Sequence, residues 1–456
     1  MKLTRGIEAF FSRFMPSPFA IALLLTVITI ILALLFTEAP GTDAHLLTIL
    51  SYWEQGIWNN ALLVFAYQMI LILVLGHILV LSAPMNQLIE KITTGVRNTG
   101  TAVVLVSVTT MLVAFFNWGL GLIFGAILAR KIAESAQKNG FPINYPLVGA
   151  AGYGGFMIWH GGISGSAPSK VAESGHLASL MQGIGRSTAN SLPSQITYAE
   201  TVFSTSNLLI FSVVLIAVPL MLYVLGRRLP ATPITLPTYE GAGASDADIS
   251  STFYDRSRLF GIGIGVLLLV TFAYQYWNDL QALAITPNML NFFMLGLALI
   301  LHGSVARFLT ALEEAIKGAS GILIQFPLYF GIMGIMKDSG MVVMVSEFFV
   351  SIATPITLPI VTFFSAGLVN IFVPSGGGQW AVQGPIVIDS AQQLGVPLPK
   401  AIMALAYGDQ LTNMLQPFWA LPLLGITRLK AKEILPYTLL IMLLGGSIFI
   451  IGLLIW

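Results

Sequence analysis

Residues 369–385 read VNIFVPSGGGQWAVQGP, and this stretch determines how the chain around it can fold. One apolar run ends at its beginning and another follows it. Between the two runs lie Pro374, Ser375 and three glycines, which interrupt a helix because proline lacks an amide donor and glycine is conformationally free. Unpaired backbone at membrane depth is tolerated only inside protein or beside water. The pattern predicts a re-entrant helical hairpin over about 356–388 that turns at residues 375–378; an external loop between two spans is the alternative.

The composition defines the class of protein. Of the 456 residues, 56% are hydrophobic and 9% are charged, and many apolar runs are long enough to cross a bilayer. We therefore expect an all-α polytopic membrane protein. The chain has no cysteine, which excludes disulfides and thiolate metal sites, and its net charge of +1 gives no reason to expect a nucleic-acid partner. The sequence shows no nucleophile–base pattern, so we do not expect an enzyme. No metal or cofactor is expected either.

Glycine and proline interruptions divide the chain into crossings, hairpins and linkers. A short interfacial helix is predicted over 2–14, a Ser/Thr-rich external segment over 166–207, and a cytoplasmic linker over 229–257. The predicted spans, hairpins and interrupted helices are residues 19–36, 60–81, 101–129 (a hairpin broken at 117–121), 145–167, 208–225, 259–277, 289–301, 322–336, 356–388, 401–421 and 437–456.

The positive charges orient this arrangement. With the N-terminus in the cytoplasm, nearly all of the 21 Lys and Arg residues fall on the cytoplasmic side, as the positive-inside rule requires. The exceptions are Lys170, Arg186, Lys337 and Lys400. The same arrangement places the C-terminus in the periplasm.

An internal repeat relates the two halves. At an offset of 255 residues, Gly121 matches Gly376 and Gly140 matches Gly395, and the polar pattern A-Q-x-x-G-x-P recurs at 136–142 and 391–397. Chance similarity between apolar segments is the alternative. The two broken hairpins enter from opposite sides, so we expect two inverted-topology repeats, each with a re-entrant hairpin and an interrupted helix. The predicted organisation is 1–228 for the first repeat, 229–280 for the linker and a linking transmembrane helix, and 281–456 for the second repeat.

The two hairpin tips are the predicted substrate site. Their free N–H groups and the positive ends of their half-helices suit a small anion, and Trp118, Trp159 and Trp380 are large enough to wall an apolar pocket. His160 could bind a carboxylate or relay a proton, or it could be a structural residue. The substrate-binding prediction comprises Asn117, Trp118, Gly119, His160, Pro374, Ser375, Gly376, Gly377, Gly378, Gln379 and Trp380.

Asp409 is the predicted coupling-ion ligand, because it is the one carboxylate placed deep within a span. A charge there is costly and should be paired, ion-bound or protonated. Asp409, Thr412, Asn413 and Gln416 follow the spacing of one helical face, so Thr412 and Asn413 could complete an oxygen cage for Na⁺, or a proton could serve instead. A hydrogen-bonded patch between helices is the structural alternative.

The hairpin motifs resemble a known family. FNWGLGLIFGAILAR at 116–130 and FVPSGGGQWAVQGP at 372–385 are similar to the bacterial short-chain fatty acid transporters of the ion transporter superfamily. The resemblance spans nearly the whole chain and implies import of short monocarboxylates such as acetate, butyrate or acetoacetate across the inner membrane. It also implies a homodimer in lipid, in which a scaffold part holds a mobile transport part. Relatives for dicarboxylates carry Ser-Asn-Thr at both tips, which this chain lacks.

Other functions remain open at this point. A cation/proton antiporter would need Asp409 but no anion site, and a dicarboxylate transporter of the same superfamily would need different tips. A passive channel would have no use for two inverted hairpins. The leading hypothesis is a secondary active transporter of short-chain monocarboxylates, coupled to H⁺ or Na⁺.

Overall fold

The computed structural model describes residues 6, 10, 11, 13, 15–38, 44–93, 95–181, 192–236, 252–281 and 286–456. Arg186, most of the predicted interfacial helix and most of the predicted 229–257 linker lie outside these residues. The described chain is helical apart from turns and one isolated β-bridge between Ile143 and Thr232. The all-α prediction is confirmed for the described residues.

The helices of the first half are α1 (Pro18–Phe36), α2 (His45–Ile57), α3 (Asn60–Leu81), α4 (Ala83–Thr93), α5 (Thr99–Phe116), α6 (Trp118–Asn139), α7 (Tyr145–Tyr153), α8 (Ser166–Val171), α9 (His176–Met181) and α10 (Thr205–Arg228). Those that follow are α11 (Phe253–Arg256), α12 (Arg258–Gln275), α13 (Trp277–Gln281), α14 (Pro287–His302), α15 (Val305–Ala315), α16 (Ser320–Asp338), α17 (Met341–Ser351), α18 (Leu358–Phe372), α19 (Gly376–Leu394), α20 (Leu398–Thr412), α21 (Pro417–Thr427) and α22 (Ala431–Ile455).

Seven helical segments of the described chain are long and apolar enough to cross a membrane. They are α1, α3, α5, α10, α12, the continuous segment Val305–Asp338 and α22. Shorter apolar helices are α14, α17, α18 and α21. The short helices matter here because α18 and α21 belong to the broken elements that the sequence pattern singled out.

The helices pack in two groups. In the first group, α16 packs against α1, α2 and α3, while α14 packs against α3 and α12. In the second, α5 packs against α6, α7 and α10, and α18 packs against α19 and α20. Contacts of α21 with α6 and α16 join the groups. Both predicted hairpins lie in the second group.

Side-chain caps fix where the helices of the first half begin. Asn59, Asn98, Asn117 and Asn144 each accept a hydrogen bond from a backbone amide in the first turn of α3, α5, α6 and α7. Asparagine is among the strongest N-caps, because its side-chain oxygen satisfies an amide that has no intrahelical partner. The sequence places these caps where the polypeptide must change direction.

Some predicted bounds need correction. Span 60–81 matches α3, and the predicted span 401–421 comprises two helices, α20 and α21, joined by the 3₁₀ turn Asn413–Leu415. Helices α2, α15 and α17 were not predicted. Charged residues such as Glu54 and Glu347 lowered the apparent hydropathy of α2 and α17, so their sequences resembled connections.

Candidate functional site

The first break consists of one residue, Asn117. Its side-chain oxygen accepts a hydrogen bond from the Leu120 amide at 3.0 Å, so α6 begins immediately after α5 ends. The two helices fold back on each other. This arrangement brings Ala114 of α5 into the space beside Gly121 of α6. The predicted break at 117–121 is therefore too long: asparagine caps the new helix at once, and the following glycines are helical.

The second break comprises the three residues Val373, Pro374 and Ser375. Ser375 caps α19 by accepting a hydrogen bond from the Gly378 amide at 3.2 Å. The predicted turn at 375–378 is displaced, because the three glycines form the first turn of α19 rather than the turn itself. The two arms fold back on each other, since the buried Gln379 side chain donates to the Ala366 carbonyl of α18 at 2.8 Å.

Residues 158–166, which we term the junction segment, contact the first hairpin tip. This segment lies where the predicted interrupted helix breaks down, after α7, into 3₁₀ turns. The Trp118 amide donates to the Ser164 hydroxyl at 2.9 Å. The Ile163 amide donates to the Phe115 carbonyl at 2.8 Å. Hydrogen bonds from both sides of Asn117 thus hold the first tip against the junction segment.

The junction segment also contacts the second hairpin tip. A Cβ atom on Gly376 would lie 2.8 Å from Trp159 Cη2 and 3.0 Å from both His160 Cε1 and the Ser166 hydroxyl. Only a glycine allows α19 to begin so close to these side chains. The next residue, Gly377, is exposed, and the nearest atom to its Cβ position is the Ser166 hydroxyl at 4.0 Å. The tip is closed at Gly376 and open at Gly377.

His160 joins the junction segment to Asp409. Both side chains are completely buried, and His160 Nδ1 is hydrogen-bonded to Asp409 Oδ2. On the other side of the ring, Nε2 accepts a hydrogen bond from the Ala167 amide at 3.1 Å. The main-chain amide of His160 donates to the Gln410 side chain at 3.0 Å. The sequence analysis left open whether His160 has a functional or a structural role. The structure shows that His160 contacts Asp409, the predicted coupling-ion ligand.

Asn370 gathers the remaining polar residues near Asp409. Its side-chain nitrogen lies 2.6 Å from the Asp409 carbonyl oxygen, 2.9 Å from Thr412 Oγ1 and 2.7 Å from Asn413 Oδ1. The Gln416 amide group donates to the Asn370 carbonyl. The prediction of one helical face is wrong, because α20 ends at Thr412; Asn370 of α18 brings the four residues together instead.

An aromatic cluster adjoins the first tip. It consists of Phe65, Trp118, Phe156, Trp159 and Trp419. The Trp118 ring centroid lies 6.0 Å from that of Trp159 and 5.3 Å from that of Trp419. The indole nitrogens of Trp159 and Trp419 are buried without a hydrogen-bond partner in the described structure. The cluster can present both an apolar wall and N–H donors.

Trp380 does not join this cluster. It is buried in a separate hydrophobic core with residues of α8 and α20, and its indole N–H donates to His176 Nε2 at 3.0 Å. The expectation that Trp118, Trp159 and Trp380 wall one pocket is corrected accordingly. Trp159 belongs to the main hydrophobic core, so the two indoles lie in different clusters.

Several residues of the site were missed from the sequence. Asn370 stands inside the quoted 369–385 stretch, but it precedes the proline and glycines and was assigned to an apolar run. Gln410 and Trp419 lie in the predicted 401–421 span, where the carboxylate drew attention. The polar residues near each helix break, such as Ser164 and Ser166 within the junction segment, were the available signal.

The comparisons with known proteins place the chain in a family. The model of the short-chain fatty acid transporter family matches residues 1–456. The chain belongs to this family. A protein of Escherichia coli (strain K12), provisionally named a short-chain fatty acid transporter, is 35% identical over 460 residues, which cover 99% of each chain. A protein of Haemophilus influenzae with the same provisional name is 34% identical over 461 residues, again covering 99% of each chain.

Two solved structures show weaker similarity. The YdaH transporter of Alcanivorax borkumensis, described as having an unusual topology, gives a TM-score of 0.43 at 15% identity, covering 96% of this chain and 98% of its own. MtrF of Neisseria gonorrhoeae, described within a class of antimetabolite efflux pumps, gives 0.41 at 14% identity, with coverage of 98% and 96%. Family membership and the apolar helices together identify this short-chain fatty acid transporter family member as a multi-pass membrane protein with a role in transport.

Proposed function

We propose that this protein is a secondary active transporter that imports short-chain monocarboxylates, with alternating access around two re-entrant hairpins. The observation that carries the proposal is the meeting of both hairpin tips at the junction segment, directly beside the buried Asp409. Irregular backbone, helix N-termini and a buried carboxylate at one place are what a transporter needs to hold an anion and a coupling cation. Family membership supports the substrate class.

The anion binds at the second tip in this proposal. The first amides of α19, at Gly376 and Gly377, precede the helix's own hydrogen bonds and lie at its positive end. Gly377 is exposed, so a carboxylate can reach this backbone, and Ser166 is the nearest side chain. Asn117, Ser375 and the aromatic cluster complete a site for a short chain bearing one carboxylate.

The two halves are inverted repeats in this proposal. Gly140 and Gly395 were matched by the sequence offset, and each ends the second arm of its hairpin in the left-handed conformation, with φ of 70° and 67°. In each half, the helix after this glycine runs into a 3₁₀ break, at Gly154–Met157 and at Asn413–Leu415. The shared order of hairpin, glycine cap and broken helix supports a common origin of the two halves.

Import of an anion needs a coupled cation. The membrane potential, negative inside, opposes entry of one negative charge by about 2.3 kcal/mol per 100 mV. A cation that travels with the substrate removes this opposition. We propose that this cation binds at Asp409. The Asp409 carboxylate is buried beside a helix break, and its negative charge would be neutralised by the cation.

The proposal extends to location and assembly. The protein lies in the bacterial inner membrane as a homodimer, with a cytoplasmic N-terminus and a periplasmic C-terminus. The distribution of Lys and Arg supports the orientation. The apolar surface of α12, on which only Gly261 and Gly265 are buried, suits contact with lipid or with a second subunit.

Counterflow in proteoliposomes tests the function. Vesicles loaded with unlabelled acetoacetate should accumulate labelled acetoacetate transiently at pH 8, where little undissociated acid is present to diffuse through lipid. Protein-free vesicles give the background. The family's transport role and the exposed tip lead us to expect saturable counterflow that excess butyrate inhibits.

The same assay separates the alternatives. A dicarboxylate transporter would show inhibition by succinate rather than butyrate, and an antiporter would show cation exchange without monocarboxylate counterflow. A channel would dissipate the gradient without trans-acceleration. Any of these results would refute the proposed function.

A further inference from the structure

The His160 ring lies between the proposed substrate site and the proposed coupling site. One edge of the ring, at Cε1, packs against Gly376 at the second tip. Nδ1 of the same ring is hydrogen-bonded to Asp409. The same side chain therefore contacts both the second tip and the Asp409 carboxylate.

The Ala167 amide fixes which nitrogen of the ring carries the proton. Because this amide can only donate, Nε2 accepts and is unprotonated. The remaining proton of the neutral ring is on Nδ1, which donates to Asp409 Oδ2. The pair in this state is a neutral imidazole and a carboxylate, and its single negative charge is fully buried.

The pair has one place left for a proton. Asp409 Oδ1 is buried and has no hydrogen-bond partner among the described residues. A buried charge without a counter-charge is costly, so adding a proton at this oxygen removes that cost without breaking the His160 or Ala167 hydrogen bonds. The carboxyl group then becomes neutral and the ring keeps its tautomer.

The nearby oxygens do not form a sodium cage around this carboxylate. Thr412 Oγ1 and Asn413 Oδ1, which the sequence analysis considered as sodium ligands, both lie against the side-chain nitrogen of Asn370. Thr412 also donates to the Gly367 carbonyl at 3.0 Å. The group that faces the Asp409 carboxylate is an imidazole N–H, which is a donor and cannot bind a cation.

Other titratable groups lie on the elements that surround the His160–Asp409 pair. The elements packed against α20 and the 3₁₀ turn Trp159–Gly161 are α5, α8, α18, α19, α22 and two 3₁₀ turns, Gly154–Met157 and Asn413–Leu415. Their titratable or charged side chains, with those of α20, are Lys170, Asp389, Lys400, Tyr407, Lys432, Glu433 and Tyr437.

The first four of these groups have partners of their own. Lys170 pairs with Glu173 at 2.9 Å, and Asp389 accepts from Gln393 at 2.7 Å. Lys400 donates to the Trp456 carbonyl, and Tyr407 donates to Asn207. Lys432, Glu433 and Tyr437 lie in the first two turns of α22.

We propose that the coupling ion is a proton carried by the His160–Asp409 pair, and that His160 links its binding to the second hairpin tip. The inference rests on the proposed function. A proton from the outside adds to Asp409 Oδ1, the monocarboxylate binds at Gly377, and both are released inside, so one positive and one negative charge cross together. His160 acts as a positioning residue, and Asp409 carries the proton.

The test uses the purified full-length protein in proteoliposomes. Wild type should accumulate labelled acetoacetate in response to an inward proton gradient, by about tenfold per pH unit for one proton per anion. A sodium gradient at constant pH should have no effect. Because co-transport of one proton with one anion is electroneutral, a potassium diffusion potential should leave the initial rate unchanged.

Three variants assign the residues. Asp409→Asn should retain counterflow but lose accumulation. His160→Asn keeps an N–H near the position of Nδ1, and it should lower gradient-driven accumulation about tenfold, a larger loss than it causes in counterflow. His302→Asn is the matched control, because His302 bonds the Ile78 carbonyl at 2.8 Å in the first group of helices; it should accumulate like wild type.

The outcomes separate the inference from the function. If wild type shows no counterflow, the proposed function fails. If counterflow is present but accumulation follows sodium, responds to membrane potential, or survives in Asp409→Asn or His160→Asn, the proton inference is overturned. Should a variant fail to fold, as judged by gel filtration, the sodium and potential measurements on wild type still decide.

Discussion

Gly376 and Gly377 are neighbours at the second tip, yet a side chain would meet different surroundings at each position. At Gly377 the space is open, so valine should fold normally but occupy the place proposed for the substrate. We expect Gly377→Val to lower monocarboxylate affinity about tenfold or more, with a small change in thermal stability. Equilibrium binding of labelled butyrate and a melting curve measure the two effects.

Gly376→Ala is the matched comparison. Its methyl group would collide with Trp159 and His160, so this variant should lose about 1–3 kcal/mol of stability, as overpacked sites do. Normal butyrate binding by Gly377→Val would remove the substrate from this tip.

Trp118 and Trp380 have different roles at the scale of single residues. Trp118 is partly exposed at the edge of the aromatic cluster, whereas Trp380 is 1% exposed in a separate core. Trp118→Ala should make room for longer chains and favour hexanoate over butyrate by about fourfold per added methylene. Competition of unlabelled acids against labelled butyrate measures this preference.

Trp380→Ala controls for the loss of an indole. It should destabilise the protein by about 3–5 kcal/mol without changing the order of preference. A chain-length shift in Trp380→Ala but not in Trp118→Ala would contradict the position assigned to the pocket.

Among the elements, the junction segment and the second hairpin form one contact that would have to change in the proposed transport cycle. A cysteine at position 377 would lie close to a cysteine at position 166, since the two sites approach to 4.0 Å. Oxidation of Ser166→Cys/Gly377→Cys should therefore form a disulfide and arrest counterflow, and reduction should restore it. The chain has no other cysteine, so each single variant is a clean control. Full counterflow by the cross-linked protein would show that this contact stays fixed during transport.

The elements also show how far the sequence could predict the structure. The helix break within residues 369–385 and the limits of α3 followed from glycine, proline and apolar patterning, which are local signals. The position of the break between α20 and α21 was not visible, because Asp409, Thr412 and Asn413 fit a continuous helical face. Where α20 ends, Asn370 of α18 donates hydrogen bonds to Thr412 and Asn413, and contact between separate elements leaves no periodic signal.

The whole molecule brings together residues from both halves at one site. His160 lies in the first half and Asp409 in the second, 249 residues apart, and the sequence identified each without showing that they touch. Tyr153 and Tyr407 make similar connections, since each hydroxyl donates across the halves, to the Asn413 carbonyl and to Asn207. A site divided between two halves can change its exposure when the halves move relative to each other, which is the requirement of alternating access.

Substrate protection of a cysteine at Gly377 tests the central claim most directly, because it reports binding and position together. The cysteine side chain is smaller than that of valine, so Gly377→Cys should keep measurable butyrate binding at raised concentration, and a small maleimide should label its exposed tip at a measurable rate. Butyrate should slow labelling in proportion to its occupancy, and succinate should not. A cysteine at the exposed residue Leu112 of α5, outside the proposed site, serves as the control and should be unaffected by either acid. Labelling of Gly377→Cys at the same rate with and without saturating butyrate would contradict a monocarboxylate site at the hairpin tips.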